Sequence, residues 1–192
     1  MKKTLILVFG MAIAVQSCDM AKQEVTLPAD SDLPIYAEVE AYEYFPGLSH
    51  ATLSLEENID EEGDLLDGRK NGSWTVYHKN ELVKSITTYV QGIQQGNYIE
   101  LDDKGNLVKK VHYVNGIEDG ETVLYTKGKI IERKQYEAGQ LTGKKSKFYA
   151  SGKIMEESTW EAGKMHGPAK WYDQEGNVTI EYEYNQGNLI KE

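Results

Sequence analysis

The sequence has one cysteine and four prolines in 192 residues. The lone thiol, Cys18, can close no internal disulfide and supplies no thiolate cluster for zinc or iron–sulfur. Basic side chains are outnumbered: 21 lysines and arginines stand against 31 aspartates and glutamates, a formal net charge of −10. That balance excludes the basic footprint of a nucleic-acid binder. Long apolar runs are scarce as well. The clearest, residues 5–15, is short for a hydrocarbon core of about 30 Å. Of the four histidines, His78, His112 and His166 fall at unrelated positions, and no HExxH-like pair or nucleophile elbow accompanies them. The acidic residues are dispersed without a positioned acid–base pair. The expectation is a chain that is not an enzyme and holds no metal or cofactor.

What is present begins with an address. Lys2 and Lys3, the apolar LILVFGMAIAV and a short approach to Cys18 read as a signal peptide over residues 1–17. The stretch Val15-Gln16-Ser17-Cys18 resembles a bacterial lipoprotein box, with Gln16 as the departure. That resemblance implies a lipidated Cys18 at the mature N-terminus and attachment to a membrane of the cell envelope through acyl chains. Cleavage elsewhere, giving a secreted chain with a free thiol, is the alternative. Residues 18–34 are polar, carry Pro28 and Pro34, and read as the lipidated cysteine and a tether.

Glycine organises the rest. Gly68, Gly92, Gly116, Gly139, Gly163 and Gly187 recur at intervals of 24, 24, 23, 24 and 24 residues. A second glycine follows each of the first five by four residues, at Gly72, Gly96, Gly120, Gly143 and Gly167. Gly105, Gly128, Gly152 and Gly176 mark a turn in mid-unit, and Asn80-Glu81 takes that place in the first unit. Each unit reads as strand, turn, strand, turn, with the glycines as hairpin-turn residues. The expected fold is all-β: an elongated antiparallel meander of repeated β-hairpins, with about ten strands in five units over residues 68–192 and a closing strand. A single hairpin is marginal in water, so neighbouring units must share their apolar stripes. Residues 35–67 read as an N-terminal cap with a degenerate repeat, since Tyr44 and Gly47 keep the spacing and Ala51 replaces a glycine.

The acidic run Glu56, Glu57, Asp60, Glu61, Glu62, Asp64 and Asp67 reads as a solvated, mobile loop. Lys144, Lys145 and Lys147 read as edge protection. Tyr89, Tyr113, Tyr136, Trp160 and Tyr184 share one phase of the repeat and read as packing between units. The less regular Trp74, Tyr98, Tyr149 and Trp171 are the candidate partner-binding residues, because an accessible aromatic is a favoured interface anchor.

The marks DGRKNGSWTVY, QGIQQGNYIEL, NGIEDGETVLY, AGQLTGKKSKFY and AGKMHGPAKWY, each followed by a returning strand, resemble the MORN-repeat-variant family. Thr122, Lys145 and Ala169 depart from it by standing where the first two units have Trp74 and Tyr98. The resemblance implies an open repeat sheet. Some bacterial proteins with such arrays are named YwqK-like antitoxin components, which implies a neutralising protein partner. The expected function is therefore a non-enzymatic envelope lipoprotein acting as a protein-binding repeat module, antitoxin-like in one form. A structural envelope scaffold and a glycan-binding module are the alternatives.

Overall fold

The computed structural model describes residues 27, 31, 33, 34, 36–56 and 58–191. The expected signal peptide, Cys18 and most of the expected tether lie outside them. The chain is all-β and forms one open antiparallel meander. Its leading strands are β1 (Glu38–Ala41), β2 (Leu48–Leu55) and β3 (Asn58–Leu66). The hairpin units follow as β4 (Arg69–Tyr77), β5 (Val83–Val90), β6 (Ile93–Leu101), β7 (Leu107–Val114), β8 (Ile117–Glu118), β9 (Gly120–Thr126), β10 (Lys129–Glu137), β11 (Gln140–Phe148), β12 (Ile154–Glu161), β13 (Lys164–Tyr172) and β14 (Val178–Asn185). A last strand, β15 (Asn188–Lys191), pairs with β14. Strand order follows chain order, and β8 and β9 are one unit strand interrupted at Asp119. No helix among the described residues is long and apolar enough to cross a membrane.

Turn chemistry explains the period. The first glycine of each unit is the second of two residues with positive φ, as in Asn115-Gly116 at 51° and 78°. Two such residues make the tight hairpin turn whose twist matches the flanking strands. The single 23-residue interval also has a cause. Its mid-unit turn is the two-residue Lys127-Gly128, whereas the units on either side use a longer loop closed by Asp102 and Asn106 or by Tyr149 and Lys153. Successive turns are tied together: the N–H groups of Gly92, Gly116, Gly139, Gly163 and Gly187 donate to the carbonyls of Lys70, Gln94, Glu118, Leu141 and Met165 at 2.7–2.9 Å.

The second glycines are not turn residues. Gly72, Gly96, Gly143 and Gly167 lie within strands at positive φ, beside register shifts that skip two residues of the strand. A Cβ built on any of these four would come no nearer than 3.6 Å to a neighbour. The constraint there is thus backbone conformation and not space. Pro168 sits with Gly167 in one of these bulges, where the ladder to β12 is interrupted and a missing N–H is tolerated.

Alanine occupies a strained position in two turns. Ala138 and Ala162 hold φ of 47° immediately before Gly139 and Gly163. A left-handed conformation costs an alanine about 1–2 kcal/mol, and asparagine carries it more easily. Ala138→Asn and Ala162→Asn are each expected to stabilise the protein by about 0.5–1 kcal/mol, read as a rise in the urea midpoint. A fall in midpoint for both would show that the alanines are not strained.

The face bearing Trp74, hereafter the inner face, holds the buried residues. Ala51, Gly63, Trp74, Thr87, Tyr98 and Val111 are successive cross-strand partners, and Ser158, Ala169 and Tyr182 form the far end of the same face. Val111, Thr122, Ser158 and Ala169 are at most 4% exposed although the sheet is a single layer. Longer side chains in the flanking rows must fold over them. At the N-terminal end, Ala51, Leu53, Leu65 and Trp74 form a core cluster, and Leu27 and Leu33 pack against it from the segment ahead of β1. The Thr122 hydroxyl is buried without a hydrogen-bond partner, so Thr122→Val is expected to stabilise by about 1 kcal/mol; a loss of stability in the same melt would mean the hydroxyl is satisfied.

Two expectations are corrected. The acidic run is largely strand: residues 58–66 pair with both β2 and β4. Leu65 is fully buried, and Glu61, Glu62 and Asp64 meet Lys70, Tyr77 and His50. Lys144, Lys145 and Lys147 protect no edge, because β11 lies inside the sheet between β10 and β12.

Candidate functional site

Two parallel rows on the inner face define the site. In the first, Gly72, Gly96, Gly120, Gly143 and Gly167 stand across the strands from Tyr89, Tyr113, Tyr136, Trp160 and Tyr184. On their other side, Tyr136 pairs with Leu141 and Trp160 with Met165. The aromatic side chains are half-buried, so each keeps ring surface toward solvent. The indole N–H of Trp160 donates to Ser158 Oγ at 2.9 Å, which leaves the rest of the ring to present as apolar surface.

The second row is charged. Glu132 lies 2.8 Å from Lys134 and 3.4 Å from Lys145, while Lys147 pairs with Glu156 at 2.9 Å. The Lys145 ammonium also stands over the Trp160 ring, 5.8 Å from its centroid. Burial pushes the Glu132 carboxyl up, but the hydrogen bond and charge of Lys134, with those of Lys145, outweigh it and hold the group below its ordinary value. Lys134 is the mirror case: burial pushes it down, and Glu132 carries it above the ordinary lysine value. Further along, burial and a 3.1 Å hydrogen bond to Glu100 push the Tyr98 hydroxyl up to about 12.

Among the described residues no group of three or more histidine, cysteine, aspartate or glutamate side chains is placed to hold a metal ion. His78 and His112 donate to backbone carbonyls of Leu101 and Asp119, and His50 lies against Asp64. A hollow of about 380 Å³ near Lys129, Arg133 and Phe148 is also occupied by internal pairing, since Lys129 donates to the Ala150 carbonyl and Arg133 meets Glu121.

Residues 141–162 and 165–186, which cover β11 to β14, match the model of the MORN repeat variant. Those two segments are MORN-variant repeats. No curated protein matches it. Among solved structures, an S. aureus TarM variant in complex with Fondaparinux, alpha-GlcNAc-glycerol and UDP is 15% identical over 50% of this chain, with a TM-score of 0.35. A second TarM crystal structure gives 16% identity and the same TM-score. This chain covers 19% of either, and a likeness of that size bears on neither its fold nor its activity.

The repeat array places the four candidate anchors apart. Trp74 is corrected: it is 1% exposed, packed in the N-terminal cluster, and its indole N–H donates to the Asp64 carbonyl at 2.8 Å. It offers no free face. Tyr98 shares that row but is half-buried and committed to Glu100. Tyr149 lies beyond β11 at the rim, where its hydroxyl donates to the Tyr172 carbonyl at 2.6 Å. Trp171 does belong to the C-terminal half of the inner face, edge-on to Tyr182 with centroids 5.7 Å apart. Tyr136, Trp160 and Tyr184, which the sequence reads as packing between units, stand half-buried across from Gly120, Gly143 and Gly167. Their fixed spacing from the second glycines was the available signal; it becomes meaningful once each pair is seen to face across strands.

Proposed function

We propose that this chain is a non-enzymatic binding module of the bacterial cell envelope, held to a membrane through a lipidated Cys18, which grips a protein segment on the C-terminal half of its inner face. One observation carries this reading. The N-terminal end of that face already holds a chain segment, since Leu27 and Leu33 pack on the cluster around Trp74, whereas Tyr136, Trp160, Trp171 and Tyr184 continue the face half-exposed. Partly exposed aromatics in a row make good anchors for a partner. Neutralising a toxin, which the family resemblance implies, is one form such binding takes.

A photoreactive amino acid placed at Leu141 or Met165 is expected to capture a protein in cells, and one at Lys144 or Thr159 on the opposite face is not. Folded protein that yields no protein adduct at Leu141 or Met165 would replace this reading with a structural scaffold. Mass spectrometry of the mature N-terminus is expected to find acyl chains on Cys18. An unmodified peptide spanning Ser17–Cys18 would remove the anchor.

A further inference from the structure

Building on the binding role above, we propose that the inner face between β10 and β14 takes an extended, proline-rich segment carrying an acidic residue, with one proline seated in each of two adjacent slots. The first slot lies between Tyr136 and Trp160, with Leu141 and Gly143 between them. The second lies between Trp160 and Tyr184, with Met165 and Gly167 between them. Equivalent positions in the earlier units hold Gln94 and Glu118 in place of Leu141 and Met165. The apolar slots are therefore confined to the C-terminal units.

Spacing selects the ligand's backbone. Tyr136, Trp160 and Tyr184 stand on β10, β12 and β14, two strands apart each time. Strands about 4.8 Å apart put successive aromatics about 9.6 Å apart. A polyproline II helix rises about 3.1 Å per residue with three residues per turn, so every third residue returns to the same face after about 9.3 Å. A strand returns a side chain every 6.6–6.8 Å or so, and two turns of α-helix rise about 10.8 Å. Polyproline II keeps step with this array best. It also binds aromatic-lined grooves at a low entropic cost, because it is already extended.

Charge selects the residue between the prolines. Lys109, Lys134, Lys145 and Lys147 share Glu118, Glu132 and Glu156 in their local network. One positive charge is left over, beside Trp160, in a chain whose net charge is −10. Lys145 has the longer of the two contacts to the shared Glu132, so it is the cation with reach to spare. A ligand carboxylate between the two prolines would meet it.

The test is a fluorescence and calorimetric titration of the full-length protein with a short synthetic peptide that has prolines at positions i and i+3 and a glutamate between them. Binding is expected, weakened about tenfold or more when both prolines become alanine. Lys145→Gln, checked for folding by its thermal melt, is expected to weaken binding of that peptide but not of its glutamine counterpart. Equal binding of an amphipathic helical peptide of the same length and charge, or of polyglutamate, would overturn the proposal. So would failure of the proline peptide to bind. If that failure accompanies a protein adduct at Leu141 or Met165, the binding role stands and only the ligand class is wrong; with no adduct, both fall.

Discussion

Replacing Trp74 with alanine is expected to lower the unfolding free energy by about 3–5 kcal/mol. Trp74 is the largest fully buried side chain, and it joins Ala51, Leu53 and Leu65 to the segment carrying Leu27 and Leu33. Its seat depends on a glycine. A Cβ at Gly63 would lie 2.5 Å from the indole ring, and Gly63 has no positive φ to explain its identity. Gly63→Ala alone is expected to destabilise by about 1–3 kcal/mol through overpacking. In the Trp74→Ala background the same change should be nearly neutral, because the ring it collides with is gone. Urea melts of the two single variants and the double variant measure this coupling; additive penalties would show that the ring does not set the requirement at Gly63. The damage should also be local, since each unit packs only on its neighbours. Hydrogen exchange is expected to accelerate over β1–β5 in Trp74→Ala while β10–β14 keep their protection. Uniform acceleration along the sheet would contradict that near-neighbour picture.

How much of this was legible in the sequence depends on whether a residue's role is local. Gly92 and Gly116 announce their turns because positive φ is a property of the chain at that point, and a constant interval repeats it. Gly143 and Gly167 are the same residue type with another task, a bulge inside a strand, and spacing alone does not separate the two. Trp74 was misjudged for a different reason. Its irregular position made it look like an exposed anchor, but its burial is made by Gly63 on the adjacent strand and by Leu27 and Leu33 from the segment ahead of β1. Lys145 likewise reads as one of three basic residues in a row until β10 and β12 close on either side of it. Its partners, Glu132 and the Trp160 ring, arrive from opposite directions along the chain.

Glu132 is where stability and the proposed ligand are expected to trade against each other. Its carboxylate serves both Lys134 and Lys145, with the glutamate side chain 13% exposed and the lysines 22% and 19% exposed. Glu132→Gln keeps the shape and removes the charge, leaving two half-buried ammonium groups facing each other's field. A surface pair contributes under about 1 kcal/mol, and breaking a buried one costs about 3–5. This partly screened triad should fall between, at about 2 kcal/mol. The pH dependence gives the sign independently. Because the folded protein holds Glu132 below its ordinary value of 4.5, its contribution is fully present above that pH. It is lost as pH falls further, through the folded value. Wild-type and Glu132→Gln stabilities, compared in urea, should therefore differ at neutral pH and converge in acid. A gap that persists at low pH would mean the substitution acts through packing and not charge. The same variant frees Lys145, so the acidic proline-rich peptide should bind it more tightly than it binds wild type, while the glutamine peptide should not distinguish them. A less stable protein with higher affinity for one peptide is hard to obtain from general damage to the sheet, and it follows directly if Glu132 and the ligand carboxylate compete for one lysine.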